Sequence, residues 1–148
     1  MTTVKHLLQS KPSGVATITP EATALEALQR MAEQEIGALI VVEGKKVVGI
    51  FSERDYARKV SLRGRTTRHS RVSELMTRRV YYAEPGQSIN EIMALMTAKR
   101  IRHLPVLEKG ELVGVISIGD VVKAVIAEHE FTIHELEKYI TGSYGPDL

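Results

Sequence analysis

Two short stretches decide the fold: Gly49-Ile-Phe-Ser-Glu-Arg-Asp55 and Gly114-Val-Ile-Ser-Ile-Gly-Asp120. Each leads from an apolar strand to a serine that can cap a helix, with an aspartate three residues later. The match continues outward from these turns. Residues 20–60 align with 85–125 at an offset of 65 with no insertion, and twelve of the 41 pairs are identical. The chain therefore contains a tandem duplication.

Each copy has the pattern β-α-β-β-α. Thr23-x-x-Glu26 and Ser88-x-x-Glu91 are capping boxes, each followed by apolar residues at helical spacing. Short apolar strands joined by Gly-containing turns come next, and they predict a hairpin in each copy. The predicted strands are Ala16–Ile18, Leu39–Val42 and Val47–Phe51 in the first copy and Val80–Tyr82, Leu104–Leu107 and Leu112–Ile116 in the second. The predicted helices begin after Thr23, Ser52, Ser88 and Ser117, with further helices over Thr2–Ser10 and Phe131–Ile140 and a frayed tail over Gly142–Leu148.

A three-stranded sheet with two helices on one face leaves its other face uncovered, and about 45 residues make a poor independent core. We therefore expect the two copies to pack sheet against sheet in a mixed α/β (α+β) fold with grooves between them. The predicted division is 1–14 for an N-terminal helix and lead-in, 15–62 for repeat 1, 63–79 for a basic linker, 80–127 for repeat 2 and 128–148 for a C-terminal helix and tail.

Composition excludes several classes of protein. The 148 residues contain no cysteine, so disulfides, thiolate zinc sites and cysteine nucleophiles are absent. The longest apolar runs are of strand length and the N-terminus carries no secretory signal, which predicts a cytoplasmic protein. The five histidines show no metal-ligand spacing, and the sequence contains no phosphate-binding loop or nucleophile elbow. We therefore expect neither an enzyme nor a metal site.

The net charge of +2 hides an uneven distribution. Between Arg54 and Arg79 lie nine Lys or Arg and two acidic residues, a net charge of +7, while the rest of the chain carries −5. This basic segment has three interpretations: a solvated helix face and linker, a phosphate pocket that uses Arg54, Arg63 and Arg65, or a nucleic-acid-binding stripe. The segment contains a single aromatic residue, Tyr56, and no recognisable helix-turn-helix, which makes nucleic acid the least favoured.

The duplicated turn also has two interpretations. A Ser-x-x-Asp sequence can be a helix cap and nothing more, which stabilises a helix start by about 1 kcal/mol. Alternatively, the helix N-terminus and the Ser hydroxyl can receive a phosphate, and the carboxylate can accept the hydroxyl groups of a ribose. Because the pattern occurs twice, each time at the carboxyl end of a strand, the ligand-binding interpretation is favoured.

At these residues the chain resembles a tandem pair of cystathionine-beta-synthase (CBS) domains, called a Bateman module. The marks of the family are the two Gly-h-h-Ser-x-x-Asp turns (h, hydrophobic), the stretch Ile101-Arg-His-Leu-Pro-Val106 and the helix residues Glu26–Leu28. The resemblance covers about residues 2–127. It implies a pseudo-twofold pair of repeats with two clefts that bind AMP, ADP, ATP, S-adenosylmethionine or NAD, and a stand-alone regulatory protein that forms a homodimer.

The resemblance also implies roles for individual residues. Asp55 and Asp120 would hold the ribose, Ser52 and Ser117 would lie near the ribose and phosphate, and the starts of the middle strands would contact adenine. The expected first site is Val15, Ile36, Gly37, Ala38, Ser52, Arg54, Asp55, Arg63 and Arg65. The expected second site is Arg78, Arg79, Val80, Ile101, Arg102, His103, Pro105, Ser117, Gly119 and Asp120.

The two copies differ in ways that predict unequal clefts. Repeat 1 lacks the His-x-Pro sequence of repeat 2, and its turn contains Glu53-Arg54 where the other contains Ile118-Gly119. We expect the first cleft to favour a polyphosphate or dinucleotide such as ATP or NAD, and the second to favour AMP. The function predicted from sequence is a non-catalytic module that binds adenine nucleotides and signals to an unknown protein partner by changing shape. The alternative is a nucleic-acid-binding or protein-binding adaptor that uses the basic segment 54–79.

Overall fold

The computed structural model describes residues 2–11, 14–61, 64 and 66–141. They form two small sheets covered by helices, as the sequence predicts for a mixed α+β fold. Arg63, Arg65 and the predicted tail over Gly142–Leu148 lie outside the described residues. The elements are α1 (Val4–Gln9), β1 (Thr17–Ile18), α2 (Ala24–Gln34), β2 (Ala38–Glu43), β3 (Lys46–Ser52), α3 (Glu53–Tyr56), a π-helical turn (Ala57–Ser61), α4 (Val72–Leu75), α5 (Ile89–Lys99), β4 (His103–Glu108), β5 (Glu111–Ser117) and α6 (Ile118–Thr141).

Helices α2 and α5 begin and end at equivalent residues of the two repeats. The Thr23 and Ser88 hydroxyls accept hydrogen bonds from the backbone N–H groups of Glu26 and Glu91, so both predicted capping serine or threonine side chains act as caps. Glu35 and Arg100 end the helices, each with a left-handed φ of 54°. The matching ends turn the chain into β2 and β4 in the same way.

The first sheet has the order β1-β2-β3, with β1 parallel and β3 antiparallel to β2. The second sheet contains only β4 and β5, so the prediction of a strand over Val80–Tyr82 is wrong. A single bridge between Ala83 and Val106 replaces it. The reason is Pro105, whose counterpart in repeat 1 is Ile40. Ile40 donates its N–H to the Ala16 carbonyl oxygen of the first strand, but proline has no N–H to donate.

The helix that precedes each repeat docks on the other repeat. Val4 and Leu7 of α1 lie in the core of repeat 2, whereas Val72 and Leu75 of α4 lie in the core of repeat 1. Part of the segment predicted as a basic linker is thus a packed helix. Equivalent hydrogen bonds fix both helices: Val4 and Lys5 donate their N–H groups to the Gln87 and Pro85 carbonyl oxygens, and Val72 and Ser73 donate theirs to the Ala22 and Pro20 carbonyl oxygens.

Two glycines allow this close docking. A Cβ on Gly114 would lie 2.5 Å from Leu8, and a Cβ on Gly49 would lie 2.6 Å from Met76. A side chain at either position would force the Leu8 or Met76 side chain to move from its place on the sheet. The first residue of each quoted stretch is therefore glycine because the segment preceding the opposite repeat packs directly on it.

The two repeats meet at the starts of their middle strands. A Cβ on Gly37 would lie 3.6 Å from the His103 ring, which begins β4. The carbonyl oxygens at these strand starts also anchor the helices after the two turns: Gly37 accepts from the Glu53 N–H, and Arg102 accepts from the Ile118 N–H. Clefts open on either side of this contact.

Helix α6 differs from the prediction of a separate C-terminal helix over Phe131–Ile140. A single helix of 24 residues runs from Ile118 to Thr141, because no glycine or proline occurs between Gly119 and Gly142. Within the part of the chain that the structure describes, no helix combines the length and apolar character needed to cross a bilayer.

Candidate functional site

The turn at Ser52 holds a buried aspartate by four contacts. The carboxylate oxygen Oδ2 of Asp55 accepts hydrogen bonds from the Ser52 N–H at 2.9 Å and from the Ser52 hydroxyl at 3.0 Å. Its Oδ1 accepts one from the Thr77 hydroxyl at 3.1 Å and lies 3.4 Å from the Lys59 ammonium. Asp55 is 9% exposed, and both of its oxygens have partners within the protein.

The turn at Ser117 is built in the same way but has a different cation. Oδ2 of Asp120 accepts from the Ser117 N–H at 2.8 Å and from the Lys11 ammonium at 2.8 Å. Lys11 also donates to the Val115 carbonyl oxygen at 2.7 Å, so the lead-in segment is tied to β5 and to the turn together. Within the described residues, Oδ1 of Asp120 accepts no hydrogen bond. The Asp120 side chain is 22% exposed and lines cleft B.

Burial and hydrogen bonding have opposite effects on the pKa of Asp120. Burial raises the pKa of its carboxyl group, but the hydrogen bonds from Lys11 and Ser117 outweigh that effect and hold the pKa below its usual range. Asp120 is therefore a carboxylate at neutral pH and can only accept hydrogen bonds. A hydroxyl donor is the ligand group that suits it.

Cleft A lies beside the Asp55 turn and has a volume of about 230 Å³. Its lining is strongly basic, with five arginines against Glu53 and Asp55. The arginines come from the turn itself, from the lead-in to repeat 2 and from the start of β4. They are Arg54, Arg58, Arg79, Arg100 and Arg102; the other lining residues are Gly37, Ile50, Ser52, Thr77, Val80, Tyr81, Ile101 and His103.

Cleft B lies beside the Asp120 turn and is larger, about 570 Å³. Its walls are mainly apolar, and its charged residues are Lys11, Glu35 and Asp120. The remaining lining residues are Leu8, Gly14, Val15, Ala16, Gln34, Ile36, Gly37, Ala38, His103, Val113, Gly114, Val115 and Ser117. The clefts thus differ mainly in charge: cleft B presents one lysine and two carboxylates, and cleft A presents five guanidinium groups.

Each cleft combines the turn of one repeat with strand starts of the other, which differs from the grouping expected from the sequence. Ser52, Arg54 and Asp55 share cleft A with residues expected in the second site: Arg79, Val80, Ile101, Arg102 and His103. Ser117 and Asp120 share cleft B with residues expected in the first site: Val15, Ile36, Gly37 and Ala38. The repeats contact each other at Gly37 and His103, and each turn lies in a cleft with strand starts of the other repeat.

Three residues expected in the second site line neither cleft. Pro105 is buried in β4, where its carbonyl oxygen accepts from the Ala83 N–H. Arg78 donates its guanidinium to the Ser73 carbonyl oxygen at 2.9 Å. Gly119 lies in the first turn of α6 and is exposed. These three residues lie close to the motifs in the sequence, but they do not line a cleft.

His103 is common to both clefts. Burial lowers the pKa of its imidazole, although Asp120 on one side and Glu53 on the other act to raise it. The ring is therefore neutral at pH 7, and cleft A owes its positive charge to arginine.

Four residues that line the clefts were not among those predicted from the sequence: Lys11, Arg58, Thr77 and Arg100. A second alignment of the sequence with itself, at a different offset, points to Lys11. An offset of 68 pairs Val4 with Val72 and Lys11 with Arg79, so each lead-in carries a basic residue to a cleft. Arg58 is four residues after Arg54 and lies on the same helical face. Nothing in the sequence marks Thr77 or Arg100.

Comparison with known proteins agrees with the duplicated architecture. The model of the CBS domain family matches residues 4–62 and 72–127. The mitochondrial CBS domain-containing protein CBSX3 of Arabidopsis thaliana is 36% identical over 97% of this chain and 74% of its own length. A solved CBS-domain protein of Burkholderia ambifaria is 53% identical with a TM-score of 0.83, covering 85% of this chain and 95% of that one. Another from Agrobacterium tumefaciens is 40% identical with a TM-score of 0.79, covering 83% and 98%.

Proposed function

Because the chain belongs to the CBS-domain family and carries the domain twice, we propose that it is a non-catalytic regulatory module whose clefts A and B bind adenosine nucleotides. Tandem CBS domains are typically regulatory, ligand-binding modules. The observation that carries the proposal is the placement of a Ser-x-x-Asp turn in each cleft, opposite the strand start of the other repeat. Both turns thus lie where a ligand would contact both repeats at once.

Cleft B suits a nucleoside. The Asp120 carboxylate is ionised and lines the cleft, so it accepts a hydrogen bond from a ribose hydroxyl. Ile36, Ala38 and Val113 supply apolar surface against which a purine ring can pack. The charges that line the cleft are one lysine and two carboxylates, which disfavours a ligand with several negative charges. AMP or an uncharged nucleoside is the ligand that we propose here.

Cleft A suits phosphate groups. Arginine guanidinium groups bind phosphate oxygens in a bidentate manner, and five of them line a space of only about 230 Å³. Both oxygens of Asp55 have partners, so a ribose would have to displace the Thr77 hydroxyl or the Lys59 ammonium to reach it. We propose that the polyphosphate of ATP or ADP, or the pyrophosphate of NAD, is the group that this cleft recognises.

The proposed signal is a change in the packing of the two repeats. A ligand in either cleft contacts both, so it stabilises the arrangement that it fits best. Lys11 joins cleft B to α1, and Arg79 lines cleft A just after α4, which gives each cleft a connection to a lead-in helix. The regulated protein, a cytoplasmic location and assembly as a homodimer remain predictions. The Arabidopsis relative is named as mitochondrial, and a cyanobacterial structure that is 28% identical is described as hexameric.

Isothermal titration calorimetry with AMP and ATP tests the proposal. Asp120→Asn should weaken AMP binding because an amide cannot replace the ionised acceptor, and it should leave ATP binding unchanged. Arg79→Met should do the reverse. Lys5→Met, on the exposed face of α1, is the matched control and should change neither. Two equivalent sites for one nucleotide would overturn the division of ligands, and the absence of binding for AMP, ATP and NAD would overturn the function.

The alternative of a nucleic-acid adaptor is weakened by where the basic segment lies. Arg54, Arg58 and Arg79 line cleft A, and Arg78 is bonded to the Ser73 carbonyl oxygen. A slope of log binding constant against log salt of about −0.9 per neutralised phosphate, measured with duplex DNA, would favour the alternative. We expect no such binding at physiological salt.

A further inference from the structure

The positive charge of cleft A is concentrated on five exposed arginines: Arg54, Arg58, Arg79, Arg100 and Arg102. In the part of the chain that the structure describes, none of their guanidinium groups forms an ion pair or a hydrogen bond with the protein. The neighbouring Arg78, by contrast, donates to the Ser73 carbonyl oxygen. Like charges that share a small cleft repel one another, and an anion offsets that repulsion. The five arginines are therefore a feature for binding an anion.

The carboxylate that could hold a ribose in cleft A is already used within the protein. Oδ2 of Asp55 accepts two hydrogen bonds from Ser52, and Oδ1 is held by the Thr77 hydroxyl and the Lys59 ammonium. The Asp55 side chain is 12% exposed, against 22% for Asp120 in cleft B. A ribose hydroxyl would have to break one of these contacts to bind Asp55. Recognition of a sugar is therefore disfavoured in cleft A.

The size of cleft A also argues against a nucleoside. Its volume is about 230 Å³, whereas pockets for small organic ligands usually measure about 300–1,000 Å³. Cleft B, at about 570 Å³, falls within that range. The Tyr81 ring of cleft A has the Lys99 ammonium 5.5 Å from its centre, so a cation already lies over a face on which a purine could stack. Space and charge both favour a ligand that consists of little more than anionic groups.

We propose that cleft A recognises a linear chain of phosphate groups by itself, and that the nucleoside of a bound triphosphate stays outside the cleft. The inference rests on the phosphate-binding role proposed above for cleft A and narrows it. Free tripolyphosphate and the triphosphate of any nucleotide share the chemistry that the arginines bind. Each phosphate added to the chain brings another negative charge and more oxygens for bidentate guanidinium contacts. Affinity should therefore rise from phosphate to pyrophosphate to tripolyphosphate, and it should fall as salt screens the exposed charges.

Isothermal titration calorimetry of the full chain with sodium tripolyphosphate, ATP and GTP, without divalent cations, tests the inference. We expect the three Kd values to agree within about threefold. Tripolyphosphate should displace ATP and should leave the binding of AMP in cleft B unchanged. If ATP binds at least about tenfold more tightly than tripolyphosphate or GTP, the adenosine contributes about 1.4 kcal/mol or more. That result would overturn the inference and leave the proposed function in place.

Arg79→Met and Arg78→Met form a matched pair of variants. The two arginines are adjacent and the chemical change is the same, but Arg79 lines cleft A and Arg78 lines neither cleft. Arg79→Met should raise the Kd of tripolyphosphate, ATP and GTP by the same factor, at least about fivefold, and Arg78→Met should change each Kd less than about twofold. Equal weakening by the two variants would overturn the inference and assign binding to the diffuse charge of segment 54–79. Binding of AMP without binding of tripolyphosphate, ATP or GTP would overturn it too, while the proposed function of cleft B would stand.

Discussion

Replacing Lys11 by methionine tests the link between the lead-in helix and the Asp120 turn. The change keeps most of the aliphatic chain and removes only the ammonium group, which donates to Asp120 at 2.8 Å and to the Val115 carbonyl oxygen at 2.7 Å. A buried charge-assisted hydrogen bond contributes about 1.5–3 kcal/mol, and an exposed ion pair about 0.2–1 kcal/mol. The Lys11 and Asp120 side chains are 35% and 22% exposed, so we expect an intermediate loss of about 1 kcal/mol.

For a chain of this length, a loss of that size lowers the Tm by about 2–4 °C at pH 7. The effect should depend on pH with a defined sign. Because Lys11 helps to hold the pKa of Asp120 below its usual range, the stabilisation is complete above about pH 4 and is lost as pH falls through the pKa of the folded state. The difference in Tm between wild type and Lys11→Met should therefore shrink in acid.

Thermal unfolding followed by circular dichroism at pH 7 and pH 3 measures both effects. Lys5→Met makes the same chemical change at an exposed position of α1 and should stay within about 0.5 kcal/mol of wild type. Equal Tm values for Lys11→Met and Lys5→Met at pH 7 would refute the prediction. It is also refuted if the Tm difference at pH 3 equals that at pH 7.

Three further predictions concern the packing and ionisation of the two repeats. Gly114→Ala should destabilise the fold by about 1–3 kcal/mol in urea unfolding, because its Cβ would lie 2.5 Å from the Leu8 side chain. Gly86→Ala, where nothing lies within 4 Å and φ is not left-handed, should cost less, and equal losses would contradict the docking of α1. His103→Gln should reduce the loss of stability below pH 6.5, because a histidine with a lowered pKa stabilises the fold above its unfolded pKa and does so less as pH falls. The Tm of both proteins should be measured between pH 7 and pH 5. An equal decline in the two would contradict a buried neutral ring. Ser117→Ala should lower stability by about 1 kcal/mol through loss of the helix cap, measured by thermal melting, and an unchanged Tm would show that the cap is dispensable.

The duplicated elements are predictable from the sequence because their signals are local. The capping residues Thr23 and Ser88 mark helix starts, and the Gly-h-h-Ser-x-x-Asp stretches mark where a strand passes into a helix. Such signals need only neighbouring residues and the spacing of apolar side chains. The two hairpins follow for the same reason.

The errors arise where the result depends on a distant partner. The strand over Val80–Tyr82 is lost because Pro105, more than twenty residues later, cannot donate a hydrogen bond. The assignment of residues to clefts depends on which repeat each segment faces after packing. The offset of 65 pairs equivalent residues but does not show that each turn lies opposite the other repeat.

The lead-in helices show how a weaker signal can be missed. Val4 and Val72 are related by an offset of 68, whereas the repeats themselves are related by 65. The difference is the three residues 12–14, which have no counterpart before repeat 2. An alignment without gaps therefore cannot extend into α1 and α4. Lys11 was missed for that reason. Arg100 is a different case: it lines cleft A only because α5 ends there in a left-handed turn, which its sequence does not demand.

The central claim is that clefts A and B bind adenosine nucleotides, and thermal unfolding with added ligand tests it most directly. A ligand at a hundredfold excess over its Kd adds about 2.7 kcal/mol to the stability of the folded state. For this chain, that corresponds to a rise in Tm of roughly 5–10 °C. We predict such a rise with millimolar AMP, ATP or NAD, and its loss for AMP in Asp120→Asn. A Tm that none of the three nucleotides changes would contradict the account.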